Sequence, residues 1–128
     1  MRLLLDTCVL LWLSAEPEKL SVPAREAVDD ESNDLLFSHV SVWEIALKSS
    51  AGKLALPAPL RMWLADQQRE WGFDFLSVSL EHLLRTEEIH RHHADPFDRL
   101  IICQGIVERL AIVTPDEKYL EYPVRVLW

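Results

Sequence analysis

Glycine is scarce. Only three residues of 128 are glycine, and neither a Gly-x-Gly-x-x-Gly fingerprint nor a phosphate-cradling P-loop can be assembled from them. A nucleotide-binding loop is therefore excluded. Cysteine is equally sparse: Cys8 and Cys103 lie in apolar surroundings without a Cys-x-x-Cys partner, which excludes a zinc knuckle and predicts buried thiols rather than a disulfide, as suits a reducing cytoplasm. No apolar run approaches the roughly 20 residues of a membrane span, and Asp6 falls too early for a secretory signal. Positive charge is also in deficit. Thirteen Lys and Arg stand against 21 Asp and Glu, a net charge of −8, so nucleic acid is not gripped by a broad basic face. Bound divalent ions would reverse the sign locally, however, and leave a metal-assisted nuclease open.

Apolar residues are plentiful, at 49%, enough for one domain with a real core over residues 1–128. Short apolar strands are expected at 2–6, 34–37, 73–78, 111–114 and 124–127. Helices are expected after Asp6-Thr7, after Ser21 with Pro23 in the first turn, and from a Ser41-x-x-Glu44 capping box to a stop at Gly52. Others are expected over Leu60–Trp71, over Leu80–Ile89 behind Ser79, and from Phe97 to Leu110. Such alternation indicates an α/β fold, a three-layer sandwich on a mostly parallel sheet. In sheets of that kind the site lies beyond the carboxyl ends of the strands. The five tryptophans exceed what a small core needs, and Trp12, Trp43, Trp63 and Trp71 are candidates for a partner surface.

The acids fall where that rule places a site. Asp6 ends the first strand, Glu44 lies early in a helix, Asp98 is the third residue of the helix opened by Asp95-Pro96, and Asp116 follows the fourth strand. Each has an ordinary reading as a cap, a dipole partner or a turn residue. Asp95 has the strongest one, as N-cap ahead of Pro96, with metal ligation as its second reading. Together, four carboxylates on one sheet edge repel one another unless a cation compensates, and an all-oxygen cluster suits Mg²⁺ or Mn²⁺. The matching chemistry is hydrolysis at phosphorus. The run His90-Arg91-His92-His93 lacks a second ligand cluster for zinc and reads as a solvated or substrate-facing loop. Arg91 and Arg99 read either as phosphate contacts or as surface or carboxylate-paired arginines; Thr7 and Thr114 read as strand-end caps or as groups that orient a carboxylate.

These pieces in their order resemble the PIN-domain ribonucleases, and among them the VapC-like toxins of toxin–antitoxin pairs. The matching stretches are Leu3-Leu4-Leu5-Asp6-Thr7 with Leu10-Leu11-Trp12, Ser41 to Lys48 with Gly52-Lys53-Leu54, His92 to Leu100, and Val113-Thr114-Pro115-Asp116. The resemblance implies a five-stranded parallel sheet and Mg²⁺- or Mn²⁺-dependent endoribonuclease activity on RNA. It implies a metal site of Asp6, Glu44, Asp98 and Asp116 with Asp95 nearby, a homodimer, and a small antitoxin partner that inserts into the acidic groove. Two other readings stand beside it: a PIN-like scaffold that binds structural metal without cleavage, and a phospho-acceptor receiver domain.

Overall fold

The computed structural model describes all residues from Met1 to Trp128. Five strands form one parallel sheet: β1 (Arg2–Leu5), β2 (Asp34–Ser38), β3 (Asp74–Leu76), β4 (Ala111–Val113) and β5 (Arg125–Leu127), in the order β3-β2-β1-β4-β5. Register aligns Leu5 with Phe37 on one side and with Val113 on the other. The strands are joined through six helices: α1 (Thr7–Ala15), α2 (Val22–Asp29), α3 (His39–Ser50), α4 (Leu60–Trp71), α5 (Leu80–Glu88) and α6 (Pro96–Glu108). The strand order also disposes of the receiver-domain reading, whose sheet runs 2-1-3-4-5.

Alternate residues of β1 face opposite cores, as strand geometry requires. Leu3 and Leu5 join Val9, Leu10, Phe37 and Trp63 on one face, whereas Leu4 joins Ile101, Ile102, Ile112 and Tyr119 on the other. Because both faces are covered, β1 is apolar along its whole buried length. On the second face α6 comes close to β4. A Cβ added at Gly105 would stand 2.8 Å from Ile112 Cδ1 and from Val124 Cγ2, so glycine there permits the close approach.

Several boundaries differ from the sequence expectation for identifiable reasons. Helix α3 begins at His39, not behind Ser41. Ser38 is its N-cap, accepting from the Val40 N–H at 3.0 Å, while the Ser41 hydroxyl accepts from Thr7 Oγ1 at 2.7 Å. The Ser41–Glu44 capping box therefore does not form. Helix α6 stops at Glu108 instead of Leu110, because Arg109 adopts a left-handed conformation (φ 55°) and turns the chain directly into β4. The third strand is shorter than 73–78, as befits an edge strand bonded on one side only. Behind α5, by contrast, Ser79 caps as expected, with His82 returning the bond.

Candidate active site

Every predicted acid reaches the carboxyl edge of the sheet, by a different local device. Asp6 is carried there by β1, whose ladder extends one residue further through the bond from Asp6 N–H to Val113 C=O, 3.0 Å. Its Oδ1 accepts from Thr7 N–H at 2.8 Å as the cap of α1, and its Oδ2 accepts from the Thr114 hydroxyl at 2.7 Å. Glu44 projects from the second turn of α3 and is 5% exposed. Its Oε2 pairs with Lys48 Nζ at 2.7 Å, one helical turn on. Asp95 caps α6 with Oδ1 alone, accepting from Phe97 N–H at 2.8 Å and Asp98 N–H at 3.2 Å. Its second oxygen has no hydrogen bond within the protein, so the cap and ligand readings are not mutually exclusive.

Asp98 is tied to Asp116 by His93 and to Asp6 by Tyr119. His93 Nε2 lies 2.8 Å from Asp98 Oδ2 and 3.2 Å from Asp116 Oδ2. Its Nδ1 faces the Asp95 N–H at 3.3 Å. With Nδ1 accepting from that N–H, Nε2 is the nitrogen that donates to the two carboxylates. Tyr119 is fully buried, and its hydroxyl donates to Asp98 Oδ1 at 2.9 Å with Asp6 Oδ1 at 3.4 Å. Thr114 completes the lattice, since it donates to Asp6 and accepts the Asp116 N–H at 3.1 Å. Its hydroxyl thus orients carboxylates rather than merely closing a strand.

Like charge and burial leave a clear electrostatic signature. The Asp98 carboxyl is pushed up to about 6 by burial, with the charges of Asp6 and Asp95 adding to the effect. Asp6 is also raised, chiefly by burial, although its bonds to Thr114 and Thr7 oppose the shift. Lys48 is raised by its bond to Glu44. The Cys8 thiol and the Tyr119 phenol are both driven upward by burial and then by the charge of Asp6, so each stays protonated. All five acids line one cleft of about 260 Å³, and Lys48 is the one cation in its wall. A larger cleft of about 440 Å³ opens at the other edge of the sheet, but it contains no acid.

The donor set fits a hard divalent cation. Oxygens dominate, one ligand atom each from His93, Asp98 and Asp116 lies within 4.8 Å of the other two, and a cation there would offset both the burial that chiefly holds Asp98 up and the charges of Asp6 and Asp95 that add to it. No local pattern in the sequence marks His93 or Tyr119 as a member of this cluster. The histidine run divides: His90 and His92 are exposed, as a solvated loop requires, whereas His93 is buried at the acids. Arg99 contacts no acid and is not an open surface arginine. Its guanidinium donates to the carbonyls of Thr86 and His90, both at 2.8 Å, and so holds the loop ahead of α6.

The PIN domain family profile matches residues 3–124. This chain is a PIN domain. It is 30% identical over 118 residues to ribonuclease VapC22 of Mycobacterium tuberculosis, a span of 90% of this chain and 87% of that protein. Ribonuclease VapC16 of the same organism is 40% identical over 58 residues, 45% of this chain and 41% of that one. In three dimensions the PIN fold superposes on VapBC2 from Rickettsia felis, solved bound to a DNA fragment from its promoter, with a TM-score of 0.70 at 16% identity over 98% of this chain and 97% of that one. VapBC-1 from nontypeable Haemophilus influenzae gives 0.69 at 14% identity over 98% and 96%. The five-stranded parallel sheet expected from the resemblance is the one observed.

Proposed function

We propose that this PIN domain is a Mg²⁺- or Mn²⁺-dependent endoribonuclease and the toxin of a toxin–antitoxin pair. The observation that carries the reading is the convergence of five carboxylates, from four separate stretches of chain, on one cleft at the carboxyl edge of the sheet. Relatives named ribonuclease VapC support it from the side of sequence. Asp6 and Asp98 would hold the principal ion, and Glu44 and Asp116 would complete the site directly or through water. The bound ion would supply Lewis acidity at the scissile phosphodiester. The chain's own side chains do the rest. Tyr119 and His93 fix the two faces of Asp98, Thr114 fixes Asp6 against Asp116, and Lys48 supplies a cation to a phosphate oxygen at the cleft mouth.

As a single cytoplasmic domain acting as a homodimer, it would be neutralised by a small antitoxin protein entering the acidic cleft. The exposed Trp43 ring, packed edge-on against Phe97, offers one apolar contact beside that cleft.

A mixed RNA pool incubated with Mg²⁺ or Mn²⁺ tests the reading. Cleavage is expected with wild type, none with EDTA, and none with Asp6→Asn or Asp98→Asn at retained helical circular dichroism. Full activity in either variant overturns the site. Asp95→Asn is expected to lose less, since Asn caps a helix about as well as Asp. A loss as deep as that of Asp98→Asn would make Asp95 a ligand.

A further inference from the structure

A cleft of about 440 Å³ is basic, in a protein of net charge −8. It opens at the amino edge of the sheet, opposite the acids, where β1, β4 and β5 begin. Three guanidiniums line it: Arg2 and Arg125, at the first residues of β1 and β5, and Arg109, at the turn between α6 and β4. All three are exposed, and no Asp or Glu is among the lining residues. Five cations elsewhere, Lys19, Arg25, Lys48, Arg69 and Arg85, each pair with an acid. Arg2, Arg109 and Arg125 pair with none. Lys53, Arg61, Arg91 and Lys118 also stand without an acid partner, but none of them lines this cleft. Glu108, the nearest acid in sequence, gives its carboxylate to His82 Nε2 at 3.0 Å.

The end of α6 accounts for only part of this charge. Helix C-termini favour cations, and Arg2 Nη1 does donate to the Glu108 carbonyl at 3.2 Å. That bond uses one of the five N–H groups of a guanidinium, and it leaves Arg125 on another element unexplained. Arg109 also occupies a left-handed position where glycine is the usual residue and any Cβ is a cost. A position that would be more stable as glycine carries a cation in a cleft with two others.

We infer that the cleft of Arg2, Arg109 and Arg125 is a phosphate-binding site that holds the RNA backbone away from the point of cleavage. Guanidinium forks match phosphate oxygens two at a time, and three forks around about 440 Å³ suit a chain of phosphates rather than a single small anion. The inference rests on the ribonuclease reading for its ligand. It answers a difficulty in that reading, because RNA approaching the acid cleft meets mainly negative charge. Four residues of extended β1, about 13 Å at strand spacing, separate Arg2 from Asp6. An RNA engaged at both edges therefore passes over the side of the domain.

The test uses the inactive Asp98→Asn protein and a fluorescein-labelled mixed-sequence structured RNA, read by anisotropy at graded salt. Arg109→Gly combined with Arg125→Gln keeps the left-handed turn and removes two guanidiniums. Affinity is expected to fall about tenfold, and the slope of log K against log salt to lessen by roughly 0.7 to 0.9 for each phosphate no longer neutralised. Arg69→Ala, which removes an arginine already paired with Asp66, should change neither. In the cleaving background KM should rise in the double variant with kcat held. Unchanged affinity and slope overturn the inference. So does a thermal shift with pyrophosphate that the double variant abolishes while RNA binding stays intact, which assigns the cleft to a small free phosphate ligand. If wild type cleaves no RNA with either metal, the ribonuclease reading fails by itself, and the binding titrations still decide the cleft.

Discussion

Tyr119 is the residue on which the acids depend and which no spacing rule picks out. It lies three residues after Asp116 in a short 3-10 turn, Glu117–Glu121, and its hydroxyl is the buried donor that links Asp98 with Asp6. Tyr119→Phe keeps the ring in the core but removes the donor to Asp98 Oδ1, which lies in the cleft wall where water can take its place, and the net loss of such a bond costs about 0.5–1.5 kcal/mol. Urea unfolding of the purified variant should show that loss, together with a change in Mn²⁺ affinity by calorimetry. Unaltered stability and metal binding would make the bridge incidental. Asp98 itself gives a pH signature. In metal-free protein its carboxyl holds a proton up to about 6, whereas the unfolded chain releases it near 3.8. The native state therefore binds more protons across that interval, and stability falls as pH rises through it. Asp98→Asn should flatten the decline in urea midpoint between these limits in EDTA. An equally steep decline in the variant would assign it to other groups.

Among the elements, capping decides how much is legible in the sequence. Asp95-Pro96 announces α6 because the cap, the proline at the first helical position and the acid in the first turn all point the same way. The Ser41–Glu44 spacing is equally regular and misleads, because β2 runs on to Ser38 and a serine already at the strand end captures the first free N–H. Periodicity places a helix to within a turn but cannot say which of two nearby serines caps it. Asp6 and Asp116 are placed by strand ends and Asp95 and Asp98 by a helix start, all legible from local pattern. His93, by contrast, shares a loop with two exposed histidines and differs from them only in its tertiary surroundings. One element-level prediction concerns α6. Replacing a mid-helix glycine by alanine ordinarily gains about 1 kcal/mol. At Gly105 the new Cβ would press on Ile112, which is fully buried, and overpacking costs typically about 1–3 kcal/mol. Gly105→Ala should therefore lower the melting temperature; a rise would show that Ile112 yields freely.

At the scale of the molecule, the alternation of apolar segments announces the layers but not the strand order, because nothing local tells β1 that its second neighbour is β4, more than a hundred residues away. The charge balance is likewise visible in the sequence only as a sum. Its division into an acidic edge and a basic edge needs the sheet to bring Arg2, Arg109 and Arg125 together. A total of −8 thus conceals two opposite surfaces.

The bond from Thr114 to Asp6 spans 108 positions of chain, and that from Tyr119 to Asp6 spans 113. Synthesis proceeds from the amino end. A growing chain has β1, β2 and every acid of the cleft except Asp116 before β4 can seat beside β1, so the cleft stays incomplete until Thr114 and Tyr119 have been made. Chains ending before Thr114, released from stalled ribosomes, should cleave no RNA, and activity should first appear once Tyr119 is included. Cleavage by the shorter chains would mean that the acids ahead of β4 suffice.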